Sequence, residues 1–202
     1  MGVANYLSFI RIFISPIFMF LYIEHEFLGI SIVLLPYVLL LLLGVSELSD
    51  ALDGYFARKF HQVTDLGKLL DPMADSIYRI SVFLTFTRPP VNVPLLLVFV
   101  FIYRDSVIST LRTICALRGF ALAARSSGKI KAVIQAASAF VVLLLMIPYS
   151  LGFVSLNVLR ITSISVVAIA AAFALIAGIE YIWVNRDYVV RLLINEKGEE
   201  SG

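Results

Sequence analysis

Long apolar stretches alternate with short polar breaks along almost the whole chain. The stretches 30–45, 91–103 and 161–179 consist almost entirely of apolar side chains. Several of them approach the roughly 20 residues that a helix needs to cross the hydrocarbon of a bilayer. Because a segment in hydrocarbon has to satisfy its own backbone hydrogen bonds, we expect these stretches to be helices and not isolated strands.

The polar breaks divide the chain into six predicted helices. A charged turn, a double proline, an Arg-Gly step and a proline-containing loop are typical helix boundaries, and they lie at residues 24–26, 88–90, 118–119 and 148–152. The predicted helices cover residues 5–24, 30–57, 72–88, 91–117, 130–150 and 156–183. Since no linker or repeat separates them, residues 1–202 are predicted to form a single all-α domain.

The composition supports a membrane protein with six transmembrane helices. Hydrophobic residues make up 60% of the chain and charged residues 15%, whereas soluble domains average about 45–50% and about 25%. Arg11 interrupts the first apolar run and no cleavage site follows, so this run is interpreted as a retained helix and not as a cleaved signal. The net charge of +2 gives no reason to expect a nucleic-acid partner.

Lysine and arginine residues collect on one side of the predicted bundle. An even number of helices places both termini on one side, together with the connections 58–71 and 118–130. The basic residues of that side are Arg58, Lys59, Lys68, Arg118, Arg125, Lys129, Lys131, Arg186, Arg191 and Lys197. By the positive-inside rule both termini are predicted to be cytoplasmic, at the inner (plasma) membrane if the protein is bacterial.

Four aspartates flank the connection between the second and third predicted helices. Asp50 and Asp53 are three residues apart, and Asp71 and Asp75 are four apart. Each pair therefore shares one helix face. Asp71 precedes Pro72, which predicts an N-cap with proline at the first helical position. The twelve residues from Lys59 to Leu70 suffice to turn the chain back, so the pairs can face each other.

Four carboxylates at one membrane level repel each other unless cations neutralise them. Oxygen ligands suit Mg²⁺ or Mn²⁺, and two such ions can hold a pyrophosphate and stabilise the attacking and leaving oxygens. Gly54 and Ala57 are small enough to let a phosphate approach the helix. The sequence therefore predicts a site for two divalent ions. Ordinary loop charges would not need helical spacing.

The spacing of these residues resembles the signature of the CDP-alcohol phosphotransferases, D-x2-D-G-x2-A-R-x8-G-x3-D-x3-D. Its specified positions are Asp50, Asp53, Gly54, Ala57, Arg58, Gly67, Asp71 and Asp75. With the six-helix layout, the resemblance covers nearly the whole chain. It implies that the four aspartates are the metal ligands and that Asp75 is the general base. It also implies a CDP site formed by Asp50, Gly54, Ala57, Arg58, Thr64 and Gly67.

A second basic region precedes the fifth predicted helix. Free backbone N–H groups and the helix dipole favour an anion at a helix start, and converging cationic side chains strengthen such a site. The candidates for binding a phosphate of the acceptor are Arg112, Arg125, Ser126 and Lys129. The alternative is anchoring to lipid head groups, which also remains open for Lys131.

Four segments are similar to the bacterial-type phosphatidylglycerophosphate synthases: residues 5–16, the Arg104-Asp105-Ser106 step, the Leu111-Arg112 step and the Gly128-Lys129-x-Lys131 element. This similarity implies CDP-diacylglycerol as donor and glycerol 3-phosphate as acceptor, with phosphatidylglycerophosphate and CMP as products. Arg104-Asp105 departs from that branch, which often has Arg-Glu. Inositol phosphate is the competing acceptor. The family resemblance also suggests a homodimer surrounded by membrane lipid.

A divalent-cation transporter is the alternative from another class. Its carboxylates would lie near the bilayer midplane on a broken helix, whereas these aspartates are predicted at one membrane edge. A non-catalytic assembly protein would leave them unexplained.

Four other residues are interpreted from their positions in the predicted helices. Arg11 faces either the interior or the membrane edge. Glu47 is interpreted as an interfacial charge, and Tyr181 and Trp183 are interpreted as interfacial aromatics.

Overall fold

The computed structural model describes residues 3–59, 65–117 and 126–186, and these ranges contain six helices and no strand. The helices are α1 Val3–Ile23, α2 Leu35–Lys59, α3 Asp65–Thr85, α4 Leu95–Leu117, α5 Ser126–Ser150 and α6 Leu156–Val184. The prediction of an all-α fold is confirmed for this part of the chain. Each predicted helix corresponds to one observed helix, with shifts mainly at the starts.

Local turn chemistry explains why two helices begin later than predicted. Before α2, the backbone N–H of Leu34 donates to Ser31 Oγ at 3.2 Å, which closes a turn. Before α4, Pro94 disfavours helical backbone at Val93, because a proline ring clashes with a helical residue in front of it. Asn92 has a φ of 54°, so the chain changes direction there and the helix follows.

The third helix begins earlier than predicted. It starts at Asp65, so Asp71 and Pro72 lie inside α3 and the N-cap assignment of Asp71 is wrong. An acidic residue at the first position is favoured by the helix dipole, which supports the earlier start. Pro72 has no N–H to donate to the preceding turn, but the helix continues through it. Asp71 and Asp75 remain one turn apart on α3.

The third helix lies at the centre of the packing. It packs against α1, α4 and α5, while α2 packs against α1 and α5, and α6 against α4 and α5. Aromatic rings fill the interior around Phe86, which meets Phe18 and Phe83 edge to face. At the same end, Arg160 Nε at the start of α6 donates to the Pro90 carbonyl at 3.1 Å. Tyr22 Oη near the end of α1 donates to the Arg88 carbonyl at 3.3 Å, so the loops 24–34, 86–94 and 151–155 lie at one end of the bundle.

The outer surface carries many large apolar side chains. Exposed examples include Phe13 on α1, Leu41 on α2, Leu96 on α4 and Ile179 on α6. An exposed apolar surface of this extent is unusual for a monomer in water. In the described residues, α5 and α6 are the two helices long and apolar enough to cross a membrane.

Candidate functional site

Asp50 on α2 and Asp75 on α3 meet at one side chain of α1. Arg11 Nη1 lies 2.5 Å from Asp50 Oδ1 and 3.8 Å from Asp75 Oδ1. Because a single nitrogen reaches both carboxylates, the two helices bring these aspartates to the same place. Arg11 itself is buried, so of the two positions considered for it, the interior one is correct.

Asp75 is also held by Arg79, one turn further along α3. Arg79 Nε donates to Asp75 Oδ1 at 3.0 Å. Its Nη1 donates to the Ala132 carbonyl on α5 at 2.6 Å, and its Nη2 lies 3.5 Å from Glu47 Oε2 on α2. The interpretation of Glu47 as an ordinary interfacial charge is therefore wrong, since it pairs with a buried arginine. We call Arg11, Glu47, Asp50, Asp75 and Arg79 the Asp75 cluster.

A second cluster of charged side chains lies beside the Asp75 cluster. Lys131 Nζ donates to both oxygens of Asp105, at 2.7 and 2.9 Å, and Arg104 Nη1 donates to Asp105 Oδ1 at 3.0 Å. Ser76 Oγ, on the residue after Asp75, is 3.5 Å from Asp105 Oδ2. Lys131 is buried, which excludes the head-group anchoring considered for it. Ser76, Arg104, Asp105 and Lys131 form the Asp105 cluster.

The charges of the two clusters balance among the described side chains. Four cations, Arg11, Arg79, Arg104 and Lys131, pair with four anions, Glu47, Asp50, Asp75 and Asp105. Arg11, Arg79, Asp105 and Lys131 are buried, and removing one partner of a buried ion pair leaves an uncompensated charge.

The residues present fit a divalent metal by the chemistry of their donors. Asp50 and Asp75 offer carboxylate oxygens, which hard cations prefer, and 45% and 32% of their side chains remain exposed to a ligand. Asp53 and Asp71 lie one turn away on α2 and α3, and their side chains are outside the described part. Among the side chains that are described, no three potential ligand residues come together.

The predicted CDP-binding positions lie around the connection between α2 and α3. Gly54, Ala57 and Arg58 belong to the last two turns of α2, and Gly67 to the first turn of α3. The structure describes their helical backbone but not the side chains of Ala57 and Arg58. Thr64 lies outside the described residues.

The predicted acceptor residues lie on two helices. Arg112, near the end of α4, donates from Nε to Tyr181 Oη on α6 at 3.2 Å, and its guanidinium lies 5.1 Å from the centre of that ring. Ser126 opens α5 and Lys129 is exposed in its first turn, where backbone N–H groups lack intrahelical partners. Arg125 is outside the described residues.

Tyr181 is buried, so its interpretation as an interfacial aromatic is wrong. Trp183 is exposed, with the Arg186 guanidinium 5.2 Å from its ring centre.

The sequence analysis assigns no role to Arg79. The spacing of Asp75 and Arg79 could have predicted their ion pair, because an arginine four residues after an aspartate in an apolar helix is placed to pair with it.

A family model and individual relatives both relate this chain to proteins of one family. Residues 1–184 match the family model described as CDP-alcohol phosphatidyltransferase. The chain is 38% identical over 87 residues to the CDP-diacylglycerol–glycerol-3-phosphate 3-phosphatidyltransferase of Aquifex aeolicus, covering 43% of this chain and 44% of that protein. It is 34% identical over 107 residues to the Bacillus subtilis protein of the same name, covering 53% and 55%.

A third relative carries a different name. The chain is 34% identical over 121 residues to the cardiolipin synthase (CMP-forming) of Streptomyces coelicolor, covering 58% of this chain and 53% of that protein. The chain thus spans about half the length of each of these three relatives.

Proposed function

This chain belongs to the CDP-alcohol phosphatidyltransferase family, and on that premise we propose that it transfers the phosphatidyl group of CDP-diacylglycerol to glycerol 3-phosphate. The products are phosphatidylglycerophosphate and CMP. The observation that carries the proposal is the convergence of Asp50 and Asp75 on one nitrogen of Arg11. The names of the Aquifex aeolicus and Bacillus subtilis relatives support the donor and the acceptor.

In this proposal, Asp50, Asp53, Asp71 and Asp75 hold two Mg²⁺ or Mn²⁺ ions. When bound, the ions neutralise the pyrophosphate of the donor and stabilise the oxygen that leaves with CMP. Arg11 keeps the first and last of these aspartates together from α1. The CDP group is held by the residues around the α2–α3 connection, namely Asp50, Gly54, Ala57, Arg58, Thr64 and Gly67.

Asp75 acts as the general base. It accepts the proton of the acceptor hydroxyl, whose oxygen forms a bond to the phosphorus of the lipid-side phosphate. The bond from that phosphorus to the oxygen of CMP breaks, and the electron pair leaves with CMP. A base needs to lie within hydrogen-bonding reach of the hydroxyl, and the partial exposure of Asp75 is compatible with that.

The phosphate of the acceptor is bound by Arg112, Arg125, Ser126 and Lys129. Arginine binds phosphate oxygens in a fork geometry, and the contact with Tyr181 orients the Arg112 guanidinium. The start of α5 contributes free N–H groups and the positive end of the helix dipole. A phosphate monoester such as glycerol 3-phosphate suits this pocket better than a neutral alcohol.

We further propose that all six helices cross the membrane, with both termini and the active site on the cytoplasmic side. The apolar outer surface and the one-sided distribution of lysine and arginine support this arrangement. Cys115 is the only cysteine, so a Cys115→Ala background allows single-cysteine labelling. A membrane-impermeant maleimide added outside should label Glu26→Cys and leave Lys197→Cys unlabelled. The reverse pattern would overturn the orientation.

The activity is tested by CMP release from CDP-diacylglycerol by the purified protein with Mg²⁺ or Mn²⁺. Release is expected with glycerol 3-phosphate, and not with inositol phosphate or phosphatidylglycerol. Phosphatidylglycerol belongs in the assay because of the CMP-forming cardiolipin synthase relative. If CMP is released only with another acceptor, that compound replaces glycerol 3-phosphate as the proposed acceptor, and the proposed type of reaction stands. Metal uptake into proteoliposomes without any CMP release would instead favour a transporter.

A further inference from the structure

Each nitrogen of the Arg79 guanidinium has a different partner on a different helix. Nε donates to Asp75 on α3, Nη1 to the Ala132 carbonyl on α5, and Nη2 lies beside Glu47 on α2. We propose that Arg79 is a positioning residue that fixes the carboxylate plane of Asp75 for proton transfer and metal binding. This inference rests on the proposed role of Asp75.

The guanidinium is suited to this task because it is planar and rigid. Its nitrogens point in fixed directions, so partners on α2 and α5 determine where Nε points. Arg79 is buried, and a buried arginine is costly unless its donors are satisfied. The contacts with Ala132 and Glu47 satisfy the outer nitrogens and hold the side chain in place.

Holding one oxygen of Asp75 fixes the whole carboxylate. A free carboxylate rotates about its last side-chain bond and exchanges its two oxygens. Oδ1 accepts from Arg79 Nε at 3.0 Å and lies 3.8 Å from Arg11 Nη1, so it faces two cations. With Oδ1 held, Oδ2 keeps one direction for a proton or a metal ion.

A purely structural role for Arg79 makes different predictions. If Arg79 only ties three helices together, its replacement lowers thermal stability, and activity falls in proportion to the folded fraction. If it positions Asp75, a folded variant loses turnover and metal affinity, while substrate binding at saturating metal is kept. The measurements are kcat, the KM of both substrates, the thermal midpoint, and Mn²⁺ binding followed by electron paramagnetic resonance.

Arg79→Lys is the main variant, because lysine keeps the charge but cannot reach three partners in fixed directions. We expect kcat and Mn²⁺ affinity each to fall about 10–100-fold, as is typical when a residue that orients a metal ligand is changed. With the metal ion at saturating concentration, the KM of each substrate should stay within about twofold. Arg104→Lys is the matched control, because Arg104 is a partly buried arginine that donates to the Asp105 carboxylate instead.

The outcomes separate this inference from the proposed function. Wild-type kcat and Mn²⁺ affinity in folded Arg79→Lys would overturn the inference, provided that Asp75→Asn is inactive. An active Asp75→Asn would overturn the proposed role of Asp75, and the inference with it. If Arg79→Lys does not fold, Glu47→Gln decides, since it weakens only the support of Nη2. A fall in kcat of about threefold or more is then expected, and unchanged kcat would refute the positioning role.

Discussion

The contact between Arg112 and Tyr181 allows the acceptor pocket to be tested with a conservative change. Tyr181→Phe removes the hydroxyl that accepts from Arg112 Nε at 3.2 Å and keeps the ring 5.1 Å from the guanidinium. The ring contact, which is worth about 0.5–1 kcal/mol for an exposed cation, is therefore retained. The lost hydrogen bond is worth about 1 kcal/mol, because water replaces part of it at the exposed Arg112.

A loss of about 1 kcal/mol in acceptor binding corresponds to about a fivefold rise in KM. We expect this rise for glycerol 3-phosphate, measured by CMP release at saturating CDP-diacylglycerol, with kcat within about twofold of the wild type. Arg112→Gln is the reference variant and should raise the same KM further. The reasoning is refuted if Arg112→Gln raises the KM and Tyr181→Phe does not. If neither changes it, Arg112 does not bind the acceptor.

Three further changes probe the remaining parts of the site. Asp75→Asn should lower kcat at least about 100-fold, since it removes the base, and unchanged CMP release would exclude that role. Lys129→Ala should raise the KM of glycerol 3-phosphate and leave that of CDP-diacylglycerol unchanged; an unaltered KM for both would favour contact with lipid head groups. Lys131→Met should lower the free energy of unfolding by about 3 kcal/mol, because the buried Asp105 carboxylate loses the cation that donates to both of its oxygens and keeps Arg104 as its main cation. Thermal unfolding in detergent measures this loss, and Asp105→Leu added to Lys131→Met should recover part of it.

The sequence was sufficient to predict the helices because their apolar stretches are long and the polar segments between them contain residues typical of helix boundaries. It failed at the start of α3, where Pro72 indicated a first turn although the helix extends back to Asp65. A proline is favourable near a helix start and tolerated further inside, so its position alone does not fix the boundary.

The sequence also predicted that α2 and α3 carry carboxylates on faces that can meet. It could not predict the partners of these carboxylates, because helical periodicity shows which face of a helix is polar but not which helix lies opposite. Arg112 and Tyr181 are 69 residues apart, and Arg79 and Glu47 are 32 apart. The sequence pattern therefore indicates an interfacial aromatic at Tyr181 and an interfacial charge at Glu47, although both side chains are partners of arginines.

Among the described side chains, the two clusters contain equal numbers of cations and anions, and this balance constrains how such a protein can diverge. A mutation that removes one charge leaves its partner uncompensated inside the bundle, so the change persists only with a second change on a neighbouring helix. Homologues that have a neutral residue at position 79 should therefore also lack the acid at position 47. Likewise, positions 105 and 131 should exchange or lose their charges together. Such paired substitutions would be visible as covariation across distant segments of the family.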